Sequence, residues 1–183
     1  LLLDGGDSWQ GSATALWTRG PDMMGAQQKL GVDYMTAHWE FTYGQKIFDA
    51  SPTKMLAHNV RTLDFEDPVF EAYAMREVKG VPVAIIGQAF PYTPIANPRH
   101  FVADWTFGIQ EARLQKLVLE VRAKGAKAVV LLSHNGSPVD LKLAGRVHGI
   151  DAILGGHTHD AVPQPTVVAN RSSKTLVTNA GSN

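Results

Sequence analysis

Four stretches of this 183-residue chain place metal-type ligands beside glycines or at the ends of apolar runs. The sharpest is Gly155-Gly156-His157-Thr158-His159-Asp160. Two imidazoles one residue apart, behind glycines that let the backbone turn tightly, can serve one metal ion or straddle two. The same spacing also suits a polar loop with two solvated histidines. In Leu131-Leu132-Ser133-His134-Asn135-Gly136 a buried strand delivers a histidine into a tight turn, where it is either a ligand or a loop contact. Asp7, in Leu3-Asp4-Gly5-Gly6-Asp7-Ser8-Trp9, is a carboxylate at a strand end among glycines. It can bridge two cations and neutralise charge that imidazoles cannot, or simply cap a turn. His38, in Ala37-His38-Trp39-Glu40-Phe41, is by itself more often a packed core histidine. Taken together, one Asp and four His at the ends of four strands point to a centre for divalent ions. Mixed oxygen and nitrogen ligands suit manganese, iron or zinc rather than calcium.

These residues need elements that carry them to one place. Short, β-branched-rich runs at Leu1–Leu3, 32–36, 128–132 and 150–154 predict buried strands, each ending in a polar or ligand-type residue. Between them, 106–124 predicts a helix with Leu114, Leu117, Val118 and Val121 on one face and Gly125 as its stop. Ser137 and Pro138 read as N-cap and first residue of a second helix through Leu141, Leu143, Ala144 and Val147. A third helix is expected over Pro21–Leu30, ending at Gly31, and a hairpin over 69–86 around Lys79-Gly80. The alternation predicts an α/β fold with a mixed sheet, whose functional residues gather beyond the carboxyl ends of strands.

Composition narrows the function classes. Seventeen basic and seventeen acidic side chains cancel and no basic stripe appears, so nucleic acid is not an expected partner. No run is long and apolar enough for a membrane span, and the absence of cysteine excludes disulfides and thiolate ligands. No repeat or linker divides the chain, so 1–183 is expected to be a single domain. It opens inside an apolar strand and stops at Asn179-Ala-Gly-Ser-Asn183 without a closing helix. It is therefore expected to be an excerpt truncated at both ends, with any export signal upstream.

The four blocks, in this order, resemble the calcineurin-like metallophosphoesterases, and within them the 5′-nucleotidase branch. That resemblance implies a β-sandwich of mixed sheets flanked by helices and a two-metal hydrolase. Carried over, Asp7 would bridge the two metals, His134 and His157 would bind one, and His159 the other. The family's Asp-x-His block is missing and would lie upstream of Leu1, and a downstream domain would follow. Its Gly-Asn-His-Glu block is altered: His38 takes the place of the asparagine ligand and Trp39 that of the catalytic histidine. Indole N–H does not titrate usefully, so Trp39 is no general acid. This swap, with Ala37-His-Trp-Glu-Phe-Thr-Tyr-Gly44 and Phe90-Pro-Tyr-Thr-Pro-Ile-Ala-Asn-Pro-Arg99, resembles the thiosulfohydrolase (SoxB) family of the Sox sulfur-oxidation pathway. What that implies is a periplasmic enzyme with two manganese ions, releasing sulfate from a thiosulfonate on a cysteine of the SoxYZ carrier complex.

Further residues follow from the same reading. Glu40 either orients His38 or caps the turn, and Arg99 either grips sulfonate oxygens or is solvated. Trp9, Tyr43 and Trp105 either line a channel for a carrier arm or belong to the core. His58, His100 and His148 lie outside the strand-end motifs and are read as packing or surface histidines, and Asn59 is favoured as a packing residue over a place in the site wall. Two alternatives stand beside the sulfur chemistry: a 5′-nucleotidase or cyclic-nucleotide phosphodiesterase, and a non-catalytic metal-binding module.

Overall fold

The computed structural model describes residues 1–171 and 173–181. Ser182 and Asn183, part of the terminal segment named above, lie outside the described residues. Along the chain run β1 (Leu3–Asp4), α1 (Ala13–Thr18), α2 (Pro21–Leu30), β2 (Tyr34–Met35), 3₁₀ turns at Trp39–Tyr43 and Gln45–Ala50, β3 (Lys54–Met55), β4 (Arg61–Thr62), β5 (Tyr73–Val78) and β6 (Val81–Gln88). Then follow α3 (Thr93–Ala96), a 3₁₀ turn at Arg99–Phe101, β7 (Trp105–Thr106), α4 (Glu111–Ala123), β8 (Ala128–Ser133), α5 (Ser137–Ala144), β9 (Ala152–Gly155), β10 (Thr166–Ala169) and β11 (Lys174–Asn179).

Two sheets form the centre. One is parallel, in the order β1-β2-β3; the other is mixed, in the order β10-β11-β9-β8-β6-β5, with its antiparallel strands at the two edges. A side chain on a strand alternates between faces, and the cores follow that rule. On β6, Ala84 and Ile86 pack with Leu114, Val118 and Val121 of α4 and Leu143 of α5. The intervening Val83 and Ile85 face the other way, toward Tyr34 of β2 and Leu56 beyond β3. On β2 the next residue, Met35, packs outward with Met24 of α2 and Phe41. The result is helices, mixed sheet, parallel sheet and helices in four layers, an α/β sandwich of the expected class. The two sheets approach closely at Gly87, where a Cβ would lie 2.0 Å from the Leu56 carbonyl oxygen. No helix among the described residues is long and apolar enough to cross a membrane.

The expected elements differ from the structure mainly at their ends. The helix expected from 106 starts at Glu111, because Trp105 and Thr106 pair with β4 and Gly108 and Gln110 adopt positive φ. The helix expected to be capped by Ser137 is capped by Gly136; Ser137 is its first residue, its N–H bonded to Thr158 Oγ1 at 3.0 Å. It ends at Ala144, short of Val147. The hairpin begins at Tyr73 rather than 69, and turns at Lys79-Gly80 with φ of 50° and 81°, the positive pair that matches strand twist in a two-residue loop. Helix α2 spans Pro21–Leu30 with Gly31 as its left-handed cap, as expected.

Candidate metal centre

Strand ends deliver the ligands. Beyond β1 the chain turns through Gly6 (φ 94°), where a Cβ would meet His134 Nδ1 at 3.0 Å and the Thr36 carbonyl at 3.2 Å. It then presents Asp7 at φ 66°. Beyond β2 comes His38, beyond β8 His134, and beyond β9 His157 at φ 78°. The Phe90 N–H donates to the Ala37 carbonyl at 3.0 Å, tying the loop of one sheet to the loop of the other.

Asp7, His38, His134 and His157 thereby meet, each offering a ligand atom within 4.8 Å of all the others. Asp7 Oδ2 is 3.1 Å from His134 Nε2, and Oδ1 is 3.3 Å from His38 Nδ1 and accepts the Trp39 N–H at 3.1 Å. His134 Nδ1 donates to the Gly5 carbonyl at 2.5 Å. A carbonyl can only accept, so this contact fixes the proton on Nδ1 and turns Nε2 toward Asp7.

The electrostatics are those of ligands crowded together. Burial opposes the charge on Asp7, but hydrogen bonds from His134 and His38 hold its carboxyl well below the usual range. Burial likewise works against protonated His134, and Asp7 outweighs it, raising this imidazole above its ordinary value. Burial, with the neighbouring His134 and His38, pushes His157 down to about 4. His38 is 1% exposed; its Nδ1 reaches only Asp7 Oδ1, at 3.3 Å, and its Nε2 has no hydrogen-bond partner among the described residues. A buried imidazole with an idle nitrogen costs stability unless something coordinates it. Three imidazoles and a carboxylate with this orphaned ring fit a divalent cation.

The remaining predicted site residues fall around the cluster. His159 is exposed, at φ 57°, and lines the same cavity of about 480 Å³ as Asp7, His134 and His157, but stands outside the four-residue group. Trp39 is half-buried and stacks on His38 with ring centroids 4.5 Å apart. Glu40 is fully buried and accepts from the backbone N–H groups of Ser8 (2.7 Å), Trp9 (3.3 Å) and His38 (2.8 Å). It therefore locks the two loops carrying Asp7 and His38 together rather than touching the His38 ring. Burial raises its pKa against those backbone bonds. Arg99 is exposed and makes no ion pair or side-chain hydrogen bond among the described residues.

Of the channel aromatics, Trp9 is fully buried with its indole N–H on Gln27 Oε1 at 2.8 Å, and Trp105 packs against Phe41 and Phe70. Tyr43 packs on the same cluster, so all three follow the core reading. His58 and Asn59 are also structural: His58 Nε2 meets Gln88 Oε1 at 2.5 Å, and Asn59 bridges Ala89 and the Gly108 carbonyl. Phe90 was missed. Its ring lies 4.0 Å from that of His38 and 4.2 Å from that of His157, backing both imidazoles. The signal for it is an aromatic two residues beyond the longest strand, at the head of the Pro-rich loop.

No family model matches the chain. Among solved structures, the Thermus thermophilus sulfate thiohydrolase SoxB superposes with a TM-score of 0.92 at 40% identity, over 99% of this chain and 33% of that one. A 5′-nucleotidase precursor, also from Thermus thermophilus, gives 0.82 at 31% identity, over 98% and 39%. A snake venom 5′-nucleotidase of Gloydius brevicauda is 27% identical across 87% of this chain and 28% of its own length. The chain thus spans between about a quarter and two fifths of these relatives. It has the fold of the 5′-nucleotidase branch of the calcineurin-like metallophosphoesterases, and within that branch it is similar to SoxB.

Proposed function

We propose that this chain is the metal-binding part of a dinuclear hydrolase that releases sulfate from a thiosulfonate held on a carrier-protein cysteine. The observation that carries the reading is Trp39. It occupies the position beside His38 and Asp7 where the phosphoesterase pattern has an acid histidine, and stacks on His38 instead. The 40% identity to SoxB supports the same assignment.

When bound, divalent cations would supply Lewis acidity and an activated water. Asp7, His38, His134 and His157 would hold them, with His159 and ligands from outside residues 1–183 completing the second ion. In the reaction, the oxygen of water joins the sulfonate sulfur, the sulfur–sulfur bond breaks, and its electron pair leaves on the carrier's terminal sulfur as persulfide. Both water protons go to solvent. A phosphate ester expels an alkoxide, for which a proton donor is worth about 10²–10⁴-fold. A persulfide is a far weaker base and leaves unprotonated, so Trp39 handicaps the first reaction and not the second. Manganese, a periplasmic location and the SoxYZ carrier complex belong to this proposal.

The test uses the full-length protein with Mn²⁺, a thiosulfonated carrier and a nucleoside monophosphate. Sulfate release with little phosphate release is expected. Phosphate release alone would establish the nucleotidase reading, which the 31% identical 5′-nucleotidase precursor favours. Inertness toward both would leave a metal-binding module. A Trp39→His protein that lost sulfate release and gained no phosphatase activity would overturn the role given to Trp39.

A further inference from the structure

The carboxyl group of Asp140, in the first turn of α5, is fully buried, and its hydrogen bonds go to none of the four candidate ligands. Its Oδ1 accepts from Ser133 Oγ at 2.7 Å and from Asn135 Nδ2 at 3.0 Å, the two residues that flank His134. Ser133 Oγ accepts in turn from the Asn135 N–H at 3.2 Å, closing a small ring of bonds around the turn. Asp140 Oδ2 has no hydrogen-bond partner among the described residues. It faces the other ligand loop: a Cβ at Gly155 would lie 2.8 Å from it, so a residue with a side chain has no room there. The next glycine, Gly156, stands close to His134, since a Cβ on it would be 3.2 Å from Nδ1. A buried carboxyl with an idle oxygen is an expensive way to hold a helix start. An apolar residue would fill the space without that penalty.

We propose that Asp140 is a positioning residue that sets the placement of His134 relative to His157. It acts by clamping Ser133 and Asn135 with one oxygen and packing the other against Gly155. The inference rests on the metal-centre reading and deepens it: the affinity of the site is tuned by a group that never touches the ion, as outer partners of metal ligands do. The raised pKa of Asp140, pushed up to about 6 by burial, fits a carboxyl that stays largely neutral at mildly acid pH. Asn has the same shape and keeps an oxygen that accepts both bonds from Ser133 and Asn135.

Mn²⁺ binding by the full-length protein, measured by titration calorimetry, tests this. Asp140→Ala is expected to weaken binding at least tenfold, and Asp140→Asn to stay within about threefold of wild type. Val118→Ala, on the core face of α4, lowers the melting temperature and leaves affinity unchanged. Should Asp140→Ala fail to fold, Ser133→Ala removes one bond to the same oxygen and is expected to weaken binding in the same direction. Wild-type affinity in a folded Asp140→Ala or Ser133→Ala protein would overturn the proposal, as would an Asp140→Asn loss equal to that of Ala. If the wild type binds no divalent ion, the metal reading fails separately. The clamp is then read in the metal-free protein, where exchange of the Asn135 amide is expected to accelerate in Asp140→Ala and not in Val118→Ala. Unchanged exchange would refute it.

Discussion

Replacing Gly87 by alanine tests the packing of the two sheets on which the centre depends. Gly87 lies near the end of β6, with Leu56 of the parallel layer directly opposite. An alanine methyl would sit 2.0 Å from the Leu56 carbonyl oxygen, 2.2 Å from its carbon and 2.5 Å from its Cβ. Ordinary contact begins near 3.4 Å, so the sheets must part by about 1.4 Å. The obstacle is backbone and cannot swing away as a side-chain tip would. Overpacking costs about 1–3 kcal/mol, and this contact belongs at the upper end. Less than about 1 kcal/mol returns through the stiffer unfolded chain. A net loss of roughly 2–3 kcal/mol follows, or about 5–10 °C in Tm for a chain of this size.

The same substitution at Gly25, inside α2, provides the control. Its methyl meets nothing within 4 Å, and helical backbone prefers alanine by roughly 0.5–1 kcal/mol. Urea denaturation followed by tryptophan fluorescence should therefore move the two midpoints in opposite directions. A Gly87→Ala protein as stable as wild type would refute the four-layer arrangement at this contact.

Three other outcomes are expected. His58 is 2% exposed and burial pushes its pKa down to about 4 from an ordinary 6.5. Above pH 6.5 it is neutral folded or unfolded; between 6.5 and 4 only the unfolded chain takes up the proton, so stability falls as the pH falls, by roughly 3 kcal/mol in all. Asp140, raised by burial, contributes with the opposite sign below about pH 6, so the comparison is wild type against His58→Gln across this window, and parallel curves would contradict the account. Glu40→Gln places an amide N–H₂ against N–H groups that now share a carboxylate. It should cost about 2 kcal/mol and weaken metal binding, and equal stability by chemical denaturation would remove Glu40 from its locking role. Residues 1–183 alone should bind Mn²⁺ more weakly than the full-length protein by calorimetry; two tightly held ions per isolated chain would show that no outside ligand is needed.

Much of the site was legible because strand and ligand sit together in the sequence. An apolar run ending in Asp7, His134 or His157 announces both the element and what it delivers. The misplaced α4 start has a local cause: 106–110 carries helix-compatible residues, yet Gly108 and a left-handed Gln110 divert it. Two-residue strands such as β3, β4 and β7 leave no periodicity to read, and they form because neighbouring layers supply their partners. Glu40 and Phe90 act across distance. The partners of Glu40 include residues 8 and 9, and Phe90 backs imidazoles brought from β2 and β9, neither of which spacing can foretell. The exposure of His159 depends on its own backbone conformation, which the His-x-His pattern leaves open.

The most direct test of the centre is anomalous diffraction at the manganese edge from crystals of the full-length, Mn²⁺-loaded protein. A peak enclosed by Asp7, His38, His134 and His157 is expected, lost or much weakened in Asp7→Ala. Manganese bound elsewhere, with those four side chains contacting only one another, would contradict the account.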